Sequence, residues 1–290
     1  MDPGDILGLL QLARRMDPQK ARPVLQGKRV LLLFYEPSTR TRASFEIAAK
    51  ALGATTTLVL ASGSSIEKGE SLLDTGHTLR AVGAEVIVIR HPHAGAPQLM
   101  AAHLDIPVIN AGDGMHEHPS QALLDAYTIL QHKPSLKRLR VCIVGDILHS
   151  RVARSVIHLL SKFGAEITLC GPVEFLPEVA SSLAPNVHVR RSLEEAVNGV
   201  DVIMVLRVQK ERLAGMRISL EGYIAEYQIT MERLRLAQPD AILMHPGPII
   251  RGLELTGEAA DCPQSVIVEQ VRNGVPVRMA ILATALGQAR

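Results

Sequence analysis

Residues 30–52 read VLLLFYEPSTRTRASFEIAAKAL, and the order of their parts decides the fold class. The unbroken apolar run 30–35 has the length of a buried strand. Pro37 and Ser38 mark a helix start, and a helix is expected over 38–52. The same alternation continues outward along the chain. Further buried strands are expected at 56–60, 86–90, 107–110, 141–144, 167–170, 187–190, 202–206 and 241–244, with helices chiefly at 70–81, 119–131, 151–163, 193–197 and 231–236. Strands alternating with helices are the pattern of an α/β fold, here two domains that are each a parallel sheet flanked by helices. In the basic stretch 131–140, Lys133-Pro134-Ser135 ends one helix before a new strand series begins, which divides the chain into 1–132 and 133–269. Gly274-Val275-Pro276 reads as a turn before an apolar helix at 277–289, so the segment 270–290 is assigned back to the first domain.

Composition narrows the function classes. The chain has 290 residues, enough for about two domains. It is 47% hydrophobic and 21% charged, which excludes wholesale disorder. Its 31 basic and 29 acidic side chains leave a formal charge of +2, too balanced for a polybasic membrane or histone-like protein. Aromatics reach only 3% with no Trp, so a stacking platform for single-stranded nucleic acid lacks material. No apolar run approaches the roughly 20 residues of a membrane span. The opening MDPGDILGLL lacks the basic and apolar regions of a signal peptide. Cys142, Cys170 and Cys262 show no C-x-x-C spacing, so neither a disulfide framework nor a zinc cluster is expected, and a reducing cytoplasm is.

Several segments carry candidate chemistry. In Ser38-Thr39-Arg40-Thr41-Arg42 three hydroxyls and two guanidiniums gather at a helix start, where backbone N–H groups and the positive dipole end converge. A capped helix would account for Ser38 and Thr39 alone, whereas the whole run suits a phosphate dianion. The loop 62–71 is rich in hydroxyls and carries Ser64 and Lys68; taken alone, Lys68 reads as a solvated lysine. Arg90 closes a strand, where an open α/β sheet lines its ligand crevice, though strands also end in charges that have no function. His116 and His118 would supply two metal ligands with no third or fourth in view, so no metal is expected. His118, ahead of a helix whose first turn holds Gln121, reads better as a contact to a small polar ligand. Gly145-Asp146-Ile147-Leu148-His149-Ser150-Arg151 lacks the G-x-G-x-x-G of a nicotinamide dehydrogenase. Arg151 opens a helix, a poor place for a cation unless it serves an anion. The run 207–212, with Arg207 and Gln209, again follows a strand, and as a mere charge run it would be a solvated face. In His245-Pro246-Gly247-Pro248 the prolines lack N–H groups, so carbonyls are the groups left to accept hydrogen bonds. The Gly247–Pro248 bond is expected to be cis, which an X–Pro bond tolerates at about 0.5–1 kcal/mol.

Together these segments resemble the carbamoyltransferase family, and within it the aspartate branch, from about residue 30 to the C-terminus. Ser38-Thr39-Arg40-Thr41-Arg42 is similar to the family's carbamoyl-phosphate motif, and Lys68-Gly69-Glu70, Arg90-His91-Pro92 and His118-Pro119-Ser120-Gln121 are similar to its other signatures. Arg207-Val208-Gln209 and His245-Pro246-Gly247-Pro248 resemble the aspartate enzymes, and the Ser-Met-Gly and His-Cys-Leu-Pro motifs of the ornithine enzymes are missing. Ile250 departs from the Asn common in relatives, and the N-terminal helix is shorter than usual. The resemblance implies two domains bridged by helices, a homotrimer with shared active sites, and no metal or organic cofactor. A regulatory chain or a dihydroorotase is left open as a further partner.

The implied reaction transfers the carbamoyl group of carbamoyl phosphate to L-aspartate, a step toward pyrimidines; another amino acid such as ornithine is the alternative substrate. By the same resemblance Ser38, Thr39, Arg40 and Thr41 hold the phosphate. Arg90, Thr41 and His118 donate to the carbamoyl oxygen, and Gln121 with the carbonyls of Pro246 and Gly247 accepts from the carbamoyl NH₂. Arg151, Arg207 and Gln209 clamp the aspartate carboxylates, and Ser64 and Lys68 reach into a neighbouring chain's site. Five matched cations (Arg40, Lys68, Arg90, Arg151 and Arg207) in a chain of net charge +2 mean focused rather than global positive charge. Rival readings are a nicotinamide dehydrogenase, which the missing glycine fingerprint disfavours, and a non-catalytic homologue, which would be expected to have lost some matched residues.

Overall fold

Nine strands and their intervening helices form two separate parallel sheets in the computed structural model, which describes residues 1–20, 22–61, 69–209 and 217–287. Ser64, Lys68, Lys210, Glu211 and Arg212 lie outside the described residues. The chain divides into two compact units, 1–124 with 272–290, and 125–271.

In the first unit, helix α1 (Pro3–Arg14) is closed at its N-terminus by a reciprocal cap in which Asp2 and Asp5 each accept the other's backbone N–H. Strands β1 (Arg29–Phe34), β2 (Thr55–Leu60), β3 (Val86–His91) and β4 (Val108–Asp113) pair in the order β2-β1-β3-β4, all parallel. The crossovers are α2 (Thr39–Ala51), α3 (Leu72–Ala81) and α4 (Ala96–His103). Leu31, Leu33, Ile87 and Ile89 pack on Leu79 and Met100. Unbroken apolar strands suit a parallel sheet, whose two faces are both covered.

Helix α5 (Pro119–His132) begins in the first unit and ends in the second. There β5 (Arg140–Val144), β6 (Glu166–Cys170), β7 (Val187–Arg190), β8 (Val202–Val205) and β9 (Ile242–Met244) pair in the order β7-β6-β5-β8-β9, again all parallel. Its helices are α6 (Arg151–Ser161), α7 (Leu193–Val197), α8 (Leu220–Tyr227), α9 (Met231–Leu234) and α10 (Gly257–Asp261), with a 3-10 turn at Glu178–Leu183. Phe175, Tyr223, Tyr227 and Leu243 are among its fully or nearly fully buried core residues. All three cysteines carry free thiols; burial pushes the Cys170 thiol up to about 12 and Cys142 well above its ordinary value, so both act as core packing.

Every strand expected from the sequence is present within two or three residues at its ends. The expected turn at Gly274-Val275-Pro276 is corrected: α11 (Ile267–Ala285) runs straight through Pro276 and carries the chain back into the first unit. A proline inside a helix costs about 3 kcal/mol, but Val277, Met279, Ala280, Leu282 and Ala283 are all completely buried just beyond it. The Arg278 guanidinium donates to the Gly274 carbonyl at 3.1 Å and lies 5.1 Å from the centre of the Phe45 ring. Packing on this scale outweighs the local preference. Helices α4, α8 and α10 were not among those the sequence pattern marked. Among the described residues, no helix is long and apolar enough to cross a membrane.

Candidate active site

Strand order explains why the marked segments gather where they do. In the first sheet β1 has β2 on one side and β3 on the other, so the strand order reverses between β1 and β3. Open parallel sheets bind ligands at the carboxyl ends of the strands at such a reversal. The segment 35–41 leaves β1 at that point and Arg90 ends β3 beside it: Phe34 pairs with Arg90, and the Tyr35 N–H donates to the Arg90 carbonyl at 2.9 Å. Arg90 is aimed further by Glu36, whose carboxylate lies 3.3 Å from its Nε.

Ser38 is the N-cap of α2, yet its hydroxyl makes no capping bond, and the first turn has no acidic residue. Elsewhere the N-cap hydroxyls of Ser71, Ser150, Ser192, Ser219, Thr230 and Thr256 each accept the N–H three residues on. The start of α2 thus presents its amides and dipole with neither a capping hydroxyl nor an acid of its own first turn to satisfy them. Thr39 and Arg40 are exposed there, while Thr41 is buried against the helix. This arrangement can hold an oxyanion.

The third contributor, His118, is buried at the mouth of α5, with Ser120 Oγ 3.5 Å from its Nδ1 and its carbonyl accepting the Gln121 N–H at 2.9 Å. Asp113, which sequence reading passed over, ties down the loop that presents it. One Asp113 oxygen accepts from Asn110 Nδ2 at 2.8 Å and the Glu117 N–H at 3.1 Å; the other accepts the Gly95 N–H at 2.7 Å and lies 3.1 Å from His116 Nδ1. His116 is thus engaged with Asp113, and His118 with Ser120. Replacing Asp113 by Ala strands several partly buried donors, and the unfolding free energy in urea should fall by about 2 kcal/mol. Beside the motif, Tyr35, Glu70, His91 and His93 line a pocket of about 620 Å³. The His93 N–H donates to His91 Nδ1 at 3.0 Å, and burial holds the His91 pKa below its ordinary value, as does neighbouring His93, so this ring is neutral at pH 7.

The second sheet repeats the device. Its strand order reverses between β5 and β8, and the segment leading to Arg151 leaves β5 there while Arg207 and Gln209 follow β8. Gly145 allows the two strand ends to approach: at φ 122°, a Cβ would sit 3.2 Å from the Leu206 carbonyl. Buried Asp146 accepts from the His149 backbone at 3.1 Å and lies 2.8 Å from its Nδ1, and Ser150 caps α6, whose first residue is Arg151. Beyond β9, Gln270 accepts the His245 N–H at 2.8 Å and donates to Asp125 at 2.9 Å, and His245 Nδ1 accepts the Gly247 N–H at 2.8 Å. The Gly247–Pro248 bond is cis, as expected from the sequence. This turn therefore uses its only N–H internally and leaves the carbonyls of Pro246 and Gly247 as its acceptors.

Comparison with known proteins identifies the family. The model for the carbamoyl-P binding domain of aspartate/ornithine carbamoyltransferase matches residues 1–131, and that for the Asp/Orn binding domain matches residues 137–285. The chain belongs to the aspartate/ornithine carbamoyltransferase family. An aspartate carbamoyltransferase catalytic subunit of Koribacter versatilis is 62% identical over 288 residues, covering 99% of this chain and 95% of that one. The crystal structure of Trypanosoma cruzi aspartate transcarbamoylase in complex with carbamoyl phosphate and aspartate superposes with a TM-score of 0.86 at 33% identity, covering 97% of this chain and 93% of that chain. The ornithine carbamoyltransferase of Thermus thermophilus superposes with a TM-score of 0.87 at 27% identity, covering 98% of this chain and 96% of that chain. Family membership thus accounts for both parallel sheets and the helices that flank them.

Proposed function

We infer that this chain transfers the carbamoyl group of carbamoyl phosphate to the amine of L-aspartate, releasing N-carbamoyl-L-aspartate and phosphate. Backbone likeness does not select the amino acid, because the aspartate and ornithine enzymes superpose equally well. The observation that carries the choice is the 62% identity to an aspartate catalytic subunit. Arg207 and Gln209 at the end of β8 support it, since a guanidinium suits the second carboxylate of aspartate, where ornithine carries an ammonium.

In the first unit Ser38, Thr39, Arg40 and Thr41 hold the phosphate, while Arg90, Thr41 and His118 donate to the carbamoyl oxygen as it becomes an oxyanion. Gln121 accepts from the carbamoyl NH₂. In the second unit Arg151, Arg207 and Gln209 bind the aspartate carboxylates, and the Pro246 and Gly247 carbonyls accept from the carbamoyl NH₂. The amine nitrogen attacks the carbamoyl carbon, the carbon–oxygen bond to phosphate breaks, and the departing phosphate takes the amine proton. Orienting two mutually repelling anions supplies much of the rate.

The product places the reaction on a route to pyrimidines. We further assign Ser64 and Lys68 to a neighbouring subunit's site, which makes the active form a homotrimer; a regulatory chain or a dihydroorotase would be an additional partner. The free thiols fit a cytoplasmic setting. Aspartate and ornithine offered side by side with carbamoyl phosphate test the reading: carbamoylaspartate should accumulate almost alone, and equal turnover of the two amino acids would refute it.

A further inference from the structure

Glu254 lies outside the segments that the sequence singled out, yet it is completely buried in the second unit. Its oxygens each take one backbone N–H from a different loop: Oε1 from Val208 at 3.0 Å and Oε2 from Ile250 at 2.8 Å. Val208 stands between Arg207 and Gln209, and Ile250 follows the cis proline Pro248 by two residues. One carboxylate therefore spans the loop that carries the aspartate-binding side chains and the loop that carries the Pro246 and Gly247 carbonyls.

The span is rigid at its base. The Glu254 carbonyl accepts the Ile229 N–H at 2.9 Å, and the Leu253 carbonyl accepts from Gln228 at 3.2 Å. Leu253 and Leu255 on either side are core residues, Val208 is completely buried, and Ile250 packs on the same core. Ile250 has no polar side-chain group to offer, and its backbone N–H makes the link to Glu254. Burial pushes the Glu254 carboxyl above the ordinary range, opposed by the amides of Val208 and Ile250 and by the charge of Arg207. A buried acid held only for packing would be replaceable by an apolar residue, whereas two inward-facing amides require two acceptor oxygens on one side chain.

We propose that Glu254 is a positioning residue that fixes the Arg207–Gln209 segment relative to the Pro246–Pro248 turn and thereby sets the affinity for the dicarboxylate substrate. The inference rests on aspartate being that substrate. Glu254→Gln keeps the volume but has one acceptor oxygen, so its NH₂ faces one of the two amides. Glu254→Asp keeps both oxygens but is a methylene too short to span them. In each variant the KM for aspartate should rise about 10- to 100-fold, as for a lost charge-assisted bond. The KM for carbamoyl phosphate should rise far less, by about threefold at most, since the groups assigned to its phosphate and carbamoyl oxygen lie on other elements and only the Pro246 and Gly247 carbonyls share this turn. In the wild type, amide hydrogen exchange should be slow at both Val208 and Ile250, a measurement that needs no variant to fold. An unchanged aspartate KM in a folded variant, an equal loss of affinity for carbamoyl phosphate, or fast exchange at either amide would overturn the role of Glu254. Wild-type protein that fails to carbamoylate aspartate would instead overturn the functional reading on which it rests.

Discussion

Arg40→Ala is expected to lower kcat/KM for carbamoyl phosphate by about 10³-fold with little loss of stability. Arg40 is exposed in the first turn of α2, so its removal leaves no cavity. What it removes is the guanidinium beside Ser38, Thr39 and Thr41 that would neutralise the departing phosphate. Steady-state kinetics and thermal melting on the same preparation separate the two effects, and a melting temperature that fell in step with activity would point to a structural role. The variant also tests the proposed sharing of an active site between subunits of a trimer. Lys68→Ala should be similarly impaired, yet mixing it with Arg40→Ala under subunit exchange should restore activity. Some interfaces in hybrid trimers would then pair an intact Lys68 from one chain with an intact Arg40 from its neighbour. If proven exchange restores nothing, Lys68 either serves its own chain or is not catalytic.

Arg207→Ala should raise the aspartate KM about 100-fold, the effect expected for removing a bidentate partner of a carboxylate. Carbamoyl phosphate should be almost unaffected, because the proposed ligands of its phosphate and carbamoyl oxygen lie at the start of α2, on β3 and at the entry to α5. Arg207 is exposed, so thermal stability should barely move. A parallel fall in affinity for both substrates would remove Arg207 from the specific recognition of aspartate.

These two arginines also show where sequence reading ends. The Ser38–Arg42 run was legible because chemistry and local structure coincide in it: a helix start after a strand needs only neighbouring residues to be recognised. The nine strands were legible for a similar reason, since a parallel sheet covered on both faces demands unbroken apolar runs. Pro276 marks a limit of that local logic. It reads as a helix end, but the burial of Val277, Met279 and Ala280 carries α11 through it. Asp113 and Glu254 were illegible for a different reason. A lone acid in a sequence is ordinarily a solvated charge, and only the folded chain brings backbone amides from distant segments to its oxygens.

By itself the sequence determined the α/β class, the strand and helix inventory in outline, the Ser38–Arg42 run as a candidate anion site and the family resemblance, because each is written in contiguous residues. Only the tertiary structure decided the strand orders β2-β1-β3-β4 and β7-β6-β5-β8-β9. Those orders place Arg90 beside the Ser38–Arg42 run, and Arg207 beside the segment leading to Arg151, at the reversal of each sheet. Strand order depends on which apolar faces pack together across tens of residues, and no local pattern encodes that choice.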